Sequence, residues 1–153
     1  MIITIIRGLP GSGKSTFARE LSKKSGAILI EPDMFLTSDT KYQYDENRYF
    51  KAKWLARQMM TALACSELSP DIIYADVLPR RQDVDDLLRY VAGGNPGIRF
   101  GVFDTPLISK EQSMKRNIHH VRPEDLDRMI RDWESYDLPP GKLRYVFPEE
   151  EML

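Results

Sequence analysis

A glycine-rich run near the start of the chain constrains the fold more than any other feature. Residues 8–16 read GLPGSGKST, which has the spacing G-x-x-x-x-G-K-S. The apolar run Ile2–Ile6 before it predicts a β-strand, and the pattern from Ser15 to Lys24 after it predicts a helix. A strand, this loop and a helix in that order are the context in which the spacing forms a phosphate-binding loop. The motif therefore predicts an α/β fold with a nucleotide at the carboxyl edge of a sheet.

The residue types in the loop explain how it would hold phosphate. Glycines allow a tight turn, and successive N–H groups then converge on the β-phosphate at the positive end of the following helix. Lys14 is positioned to reach the β- and γ-phosphates, and the Ser15 hydroxyl to bind Mg²⁺. The predicted nucleotide-binding residues are Gly8, Pro10, Gly11, Ser12, Gly13, Lys14, Ser15 and Thr16.

Composition limits the class of protein. The 153 residues are enough for one domain, and 42% hydrophobic with 29% charged residues is ordinary for a globular chain. A net charge of −1 argues against an extended nucleic-acid binder, but not against a protein that grips one end of a strand. Cys65 is the single cysteine, so we expect a small core residue and a reducing, cytoplasmic location. We expect neither a signal peptide nor a membrane-spanning segment.

Strand and helix patterns alternate along the rest of the chain. This predicts a parallel sheet of four to five strands with helices on both faces. Asp45 is the expected N-cap of a long helix, about Glu46–Leu68, with an apolar stripe at Ala52, Leu55, Ala56, Met59 and Leu63. The further predicted strands are Ala27–Glu31, Asp71–Ala75, Ile98–Asp104 and Leu143–Phe147, and the further helices start at Pro79, after Ser109 and at Arg122, the last ending near Tyr136.

Two aspartates follow predicted strands and bear on the chemistry. Asp33 comes after the second strand, where a carboxylate can accept the proton of an attacking hydroxyl; a helix cap or turn acid explains it equally well. Asp76 ends an apolar strand, and an Asp in that place commonly holds the Mg²⁺ shell; the alternative is a strand-end cap.

A basic segment near the end could cover the phosphates. Residues 110–122 include Lys110, Lys115, Arg116 and Arg122, and such a segment can neutralise the charge of phosphoryl transfer. A solvated helix face is the alternative. His119 and His120 do not form a metal site by pattern, because adjacent histidines point in different directions.

These residues together resemble the phage-type polynucleotide 5′-hydroxyl kinases, a family of P-loop kinases, over roughly residues 2–136. The resemblance rests on residues 7–19, on Val102-Phe103-Asp104 and on Lys115-Arg116-Asn117, in matching order. It implies one P-loop kinase domain over 1–153 with a lid at about 110–122. It also implies that Asp33 is the general base, that Asp76 lies in the active site and that Arg116 is the catalytic lid arginine.

The chain departs from that family's pattern on the acceptor side. The family has an arginine where Leu36 stands, and Thr-Asn where Val77-Leu78 stand. The lid is shorter, so His120 or Arg122 would replace its second arginine, and the phosphatase motif of the phage enzyme does not occur in this sequence.

Three functions fit the sequence. The first is ATP- and Mg²⁺-dependent transfer of the γ-phosphate to the 5′-hydroxyl of RNA or DNA. The second is a kinase for a small hydroxyl compound such as a nucleoside, sugar or antibiotic. The third is a nucleotide-binding switch, which would have no use for Asp33. The identity of the acceptor, the nucleobase preference and the oligomeric state stay open.

Overall fold

The computed structural model describes residues 1–36, 45–93, 97–116 and 121–134, and the backbone of one strand beyond them. Helices and strands alternate along the chain, as the sequence predicts. The strands are β1 (Ile2–Arg7), β2 (Ile28–Ile30), β3 (Ile72–Asp76), β4 (Arg99–Asp104) and β5 (Leu143–Val146). The helices are α1 (Lys14–Ser25), α2 (Glu46–Ala64), α3 (Arg81–Ala92), α4 (Lys110–Lys115) and α5 (Pro123–Asp132), with a 3₁₀ helix at Pro32–Phe35.

The strands form one sheet in the order β2-β3-β1-β4-β5. Strand β1 lies in the middle and pairs in parallel with β3 and β4, and β2 pairs in parallel with β3. Strand β5 is an edge strand that runs antiparallel to β4. The predicted α/β fold is therefore confirmed, with four parallel strands and one antiparallel strand. In such a sheet the carboxyl ends of β1 to β4 meet at one edge.

Helices cover both faces of the sheet, also as predicted. On one face, α2 and α3 pack on the larger core, which includes Ile3, Tyr74 and Phe100. On the other face, α1 packs through Ala18 and Leu21 on a smaller cluster. Along the part of the chain that is described, no helix is both long and apolar enough to cross a membrane.

Helix α2 begins after its predicted cap, and its buried face overlaps only in part with the expected apolar stripe, at Ala52 and Ala56. The Asp45 carboxylate accepts the N–H groups of Asn47 and Arg48. The helix ends at Ala64 rather than near residue 68. The residues that it buries are Ala52, Ala56, Met60 and Ala64, whereas Leu55 and Met59 are exposed.

The buried face of α2 differs from the predicted stripe because a pattern of apolar residues takes no account of two polar contacts. Tyr49 and Lys53 turn toward Asp76 in β3, and this rotates the buried face of α2 toward Met60. Cys65, the residue that caps the C-terminus of α2, is exposed, so its expected place in the core is wrong.

Other boundaries shift by a few residues. Helix α3 starts at Arg81, after the predicted Pro79, and α5 ends at Asp132, before Tyr136. Tyr136, together with the lid residues 117–120 that include His119 and His120, lies outside the described residues.

Candidate active site

The loop between β1 and α1 has the backbone that its glycines predict. Gly11 and Gly13 have φ angles of 76° and 88°, a left-handed region that favours glycine. Helix α1 begins at Lys14, immediately after Gly13, and the N–H of Phe17 donates to the Gly13 carbonyl over 3.0 Å. The first N–H groups of α1 are thus at the end of the loop, where a phosphate would meet them.

Close packing against the end of β4 explains a further glycine. A Cβ on Gly8 would lie 2.1 Å from the Thr105 hydroxyl and 2.2 Å from the Ser12 hydroxyl. The Thr105 hydroxyl donates to the Ser12 hydroxyl over 2.9 Å, so the position of the loop is linked to the strand beside it.

A cleft of about 560 Å³ opens over the loop at the carboxyl edge of the sheet. It brings together the loop, the residue after β2, the last residue of β3 and the end of α4. The lining residues are Pro10, Gly11, Gly13, Lys14, Ser15, Thr16, Arg19, Pro32, Asp33, Tyr49, Ala75, Asp76, Val77, Arg116, Val121 and Met129. Asp33, Asp76 and Arg116 therefore share one cleft with the loop. The alternation of strands and helices predicts this for the two aspartates, and the family resemblance predicts it for Arg116.

Asp76 is buried, and both of its carboxylate oxygens accept hydrogen bonds. Oδ1 accepts the Val77 N–H over 2.8 Å and the Tyr49 hydroxyl, and Oδ2 accepts the Tyr74 hydroxyl over 3.1 Å. The Lys53 Nζ lies 3.3 Å from Oδ2. Burial alone would raise the pKa of Asp76, but Lys53, these donors and Lys14 hold that pKa below its ordinary value. The carboxylate is thus ionised at neutral pH.

The two tyrosines remain donors to this carboxylate. Burial, followed by the charge of Asp76, raises the pKa of Tyr49 and of Tyr74 well above 10. Both hydroxyls therefore stay protonated across the physiological range.

Lys14 is a half-buried cation surrounded by acids. Burial lowers the pKa of Lys14, while the negative charges of Asp76, Asp33 and Glu31 oppose that effect. This arrangement places an ammonium group among acids, at the position where anionic oxygens of a phosphate would bind.

Helix α4 is docked on the loop. Ser113 is fully buried, and its hydroxyl donates to the Pro10 carbonyl over 2.5 Å. The guanidinium of Arg116 donates to the Gly11 carbonyl over 3.4 Å, and a Cβ on Gly11 would lie 2.9 Å from the Cβ of Arg116. Glycine at position 11 is thus needed both for its backbone and for the approach of α4.

The second predicted lid cation has a different place. Arg122 is exposed, does not line the cleft, and binds Asp125 in the first turn of α5, with 2.8 Å between Nε and Oδ2. This hydrogen bond and the charge of Asp125 raise the pKa of Arg122. His120, the other candidate, lies outside the described residues.

A buried arginine lies directly beneath the loop. Arg7 ends β1, is fully buried, and its Nε lies 3.0 Å from Oδ1 of Asp104 at the end of β4. The guanidinium stacks on the Trp133 ring at 4.5 Å and donates to the Glu134 carbonyl over 2.5 Å. The Glu134 N–H in turn donates to the Pro79 carbonyl over 2.7 Å. Arg7 therefore joins the base of the loop to the segment after α5.

Sequence reasoning missed Tyr49 and Lys53, which α2 contributes to the site. Their separation of four residues places both on one face of a helix. A tyrosine and a lysine four residues apart, shortly after the predicted N-cap Asp45, are the sequence signal that could have indicated a polar face of α2 turned toward the site. Arg19, on α1, also lines the cleft and was not singled out.

Lys53 gives a test of the Asp76 environment. We expect Lys53→Met to lower the free energy of unfolding at pH 7 by about 1–3 kcal/mol, because a buried carboxylate loses a partner. The pKa of folded Asp76 is lowered, so its stabilising effect is present above the unfolded pKa and is lost as the pH falls through the folded one.

The difference in stability between parent and Lys53→Met should therefore be largest at neutral pH and shrink on acidification. Urea unfolding at a series of pH values measures this, with Lys51→Met as the exposed control on the same helix. A difference that does not change with pH would contradict the assigned ion pair.

The fold and the site together define a class. A parallel sheet with a phosphate-binding loop after its central strand, facing a cleft lined by acids, is a P-loop domain of the kinase type. The chain belongs to the AAA_33 family, whose model is described as an AAA domain and matches residues 3–122. Membership implies binding of a nucleotide, typically ATP with Mg²⁺.

Similar proteins include one curated protein and two solved structures. Human NEDD4-binding protein 2 is 29% identical over 157 residues, which cover 98% of this chain and 8% of that protein. The structure of the Pnkp1/Rnl/Hen1 RNA repair complex matches with a TM-score of 0.66 at 15% identity, over 86% of this chain and 43% of that one. A gluconokinase from Sinorhizobium meliloti 1021 matches with a TM-score of 0.57 at 16% identity, over 88% of this chain and 75% of the gluconokinase chain. The two structural likenesses show the fold alone.

Proposed function

We propose that the protein is a kinase that transfers the γ-phosphate of ATP to the 5′-hydroxyl of RNA or DNA. One observation supports transfer above all. Asp33 and the phosphate loop line the same cleft, so a carboxylate faces the place where a γ-phosphate would lie. A protein that only bound nucleotide as a switch would have no need of an acid there.

Each residue has a role in this proposal. Lys14 and the N–H groups at the start of α1 bind the β- and γ-phosphates. Asp33 accepts the proton of the acceptor hydroxyl and orients its oxygen toward the γ-phosphorus. Arg116 leaves the Gly11 carbonyl and binds the oxygens of the phosphoryl group, where charge accumulates during transfer. The single domain over 1–153, with a lid at 110–122, stays part of the proposal.

The residues at the cleft fit a magnesium ion. Ser15 and Asp76 both line it, and a hydroxyl with one carboxylate, completed by phosphate oxygens and water, suits Mg²⁺. Ser15 and Asp76 are the residues that would hold the ion. Within the described ranges, no group of three or more His, Cys, Asp or Glu side chains is placed to hold a metal ion. When bound, the ion neutralises charge between the phosphates.

The choice of acceptor rests on two comparisons that point in different directions. The likeness to a structure of an RNA repair complex, together with the lid pattern, favours a nucleic-acid 5′ end. The likeness to a gluconokinase favours a small hydroxyl compound, and Leu36 is buried where the phage family has an arginine. A small-molecule kinase is therefore the second candidate.

Transfer of labelled γ-phosphate distinguishes the candidates. The acceptors are oligonucleotides with a 5′-hydroxyl, nucleosides and sugars, and the control is Lys14→Ala. We expect label on the 5′ end of oligonucleotides and a loss of at least about 10²–10³-fold in Lys14→Ala, because an ammonium group that stabilises transferring phosphate is removed.

Thermal unfolding should be the same in parent and variant, since the side chain of Lys14 faces the cleft and not the core. Label on sugars alone would favour the second candidate. Equal turnover by parent and Lys14→Ala would contradict any kinase assignment for this cleft.

A further inference from the structure

Helix α2 exposes two large aromatic side chains beside the cleft. Phe50 is 73% exposed and Trp54 is 56% exposed. They are one turn apart, which places their Cβ atoms about 5–6 Å from each other on the helix surface. Neither residue contributes to the cores of the fold, so both rings are available to a ligand.

Their position follows from the residues that precede them. Tyr49 and Lys53 reach Asp76 at the wall of the cleft, and Phe50 and Trp54 each come one residue later. Each step along a helix turns about 100° around its axis. The aromatic pair therefore lies on the strip of α2 next to that of Tyr49, which lines the cleft.

The charge around this pair suits a polyanion. Residues 46–57 carry four cations, Arg48, Lys51, Lys53 and Arg57, and one anion, Glu46, in a chain whose net charge is −1. Lys53 is paired with Asp76 at 3.3 Å, which leaves Arg48, Lys51 and Arg57 as the other cations. Glu46 is already paired with Arg128 at 3.5 Å. Helical geometry places Lys53 on one side of the aromatic strip and exposed Lys51 on the other.

We infer that Phe50 and Trp54 form a stacking surface for the acceptor strand, as single-stranded RNA or DNA. This rests on the proposed function and specifies its substrate. The 5′-terminal nucleotide enters the cleft beside Asp33, and the bases that follow stack on the two rings while Lys51 approaches their phosphates. Exposed aromatic rings between cations are the chemistry that binds single strands without base selection. A sugar or nucleoside acceptor has nothing to place there.

Phosphorylation kinetics with acceptors of different length test the stacking surface. The variants are Phe50→Ala, Trp54→Ala and the double variant, with Leu55→Ala as an exposed control on the other side of α2. We expect the KM for a 5′-hydroxyl octanucleotide to rise about 5- to 100-fold per ring removed. The kcat, the KM for ATP and the KM for a nucleoside 3′-monophosphate should stay at parent values, since that acceptor ends before the rings.

Fluorescence provides a second measurement that does not depend on turnover. Octanucleotide should quench the emission of the parent, and Trp54→Phe should lose that quenching but keep a KM near the parent value, because a phenyl ring still stacks. Salt should weaken the binding, as expected when phosphates are paired with lysines.

The outcomes separate the inference from the proposed function. If the parent labels oligonucleotides and the alanine variants match it at every acceptor length, the stacking surface is wrong and the kinase assignment stands. That is also the result expected if this face of α2 serves a protein partner. If the parent labels only small hydroxyl compounds, the proposed acceptor is wrong and the inference is wrong with it.

Discussion

Arg116→Ala is expected to lower kcat by about 10³-fold or more, and to raise the KM for ATP far less. Charge on the γ-phosphoryl oxygens is greatest in the transition state, so a guanidinium that meets them binds that state best. An arginine with this role is worth about 10³–10⁵-fold in kcat. Arg116 is in place for it, because it is exposed at the cleft and contacts the loop through a 3.4 Å hydrogen bond to the Gly11 carbonyl.

Two further variants make the measurement specific. Arg116→Lys should restore only part of the rate, since an ammonium cannot make the forked contact. Lys115→Ala removes a neighbouring exposed cation that pairs with Glu111, and should keep the parent rate. Steady-state kinetics with saturating acceptor measure all three. Near-parent rates in both Arg116 variants would make Arg116 a solvated surface residue.

Asp33→Asn is expected to lower kcat by about 10²–10⁴-fold, the typical contribution of a general base. The affinity for ATP should change little, because an amide keeps the size of the side chain and Asp33 stands on the short helix after β2, outside the phosphate loop. Equilibrium binding of a fluorescent ATP analogue and single-turnover transfer give the two quantities separately.

Asp71→Asn serves as the matched control. Asp71 precedes β3 at the opposite edge of the sheet and accepts the Ile2 N–H over 2.7 Å. Asp71→Asn should leave the affinity for ATP and the rate of transfer at parent values. If ATP affinity in Asp33→Asn falls as steeply as the rate, Asp33 is a ligand of the nucleotide or metal and not the base.

The sequence predicts the phosphate loop and the meeting of Asp33 with Asp76 because both follow from local rules. The loop has a diagnostic spacing, and residues that end parallel strands share one edge of a sheet. The prediction therefore needs only the order of strands and helices, not their packing. The role of Arg116 was implied by the family resemblance and not by such a rule, and the structure places Arg116 at the cleft.

What the sequence did not predict depends on contacts between distant segments. The buried face of α2 was misjudged because Leu55 and Met59 are apolar, whereas polar Tyr49 and Lys53 point inward to Asp76. An amphipathic pattern reflects only the positions of hydrophobic side chains. It contains no information about a buried carboxylate that needs hydrogen-bond donors. Cys65 was also misjudged, because α2 ends at Ala64, one residue before it, and leaves Cys65 exposed.

The buried arginine under the loop links the loop to the ends of β4 and α5. One guanidinium binds Asp104 and the Glu134 carbonyl and stacks on Trp133, so a separation of these segments would leave a buried charge without partners. Breaking a buried ion pair in that way costs about 3–5 kcal/mol. The base of the loop and the end of α5 therefore open together, as one cooperative unit in hydrogen exchange. Asp104 and Trp133 are both held by Arg7, and α4 is held to the loop through Ser113, so the loop, the end of β4 and the end of α5 are one connected unit.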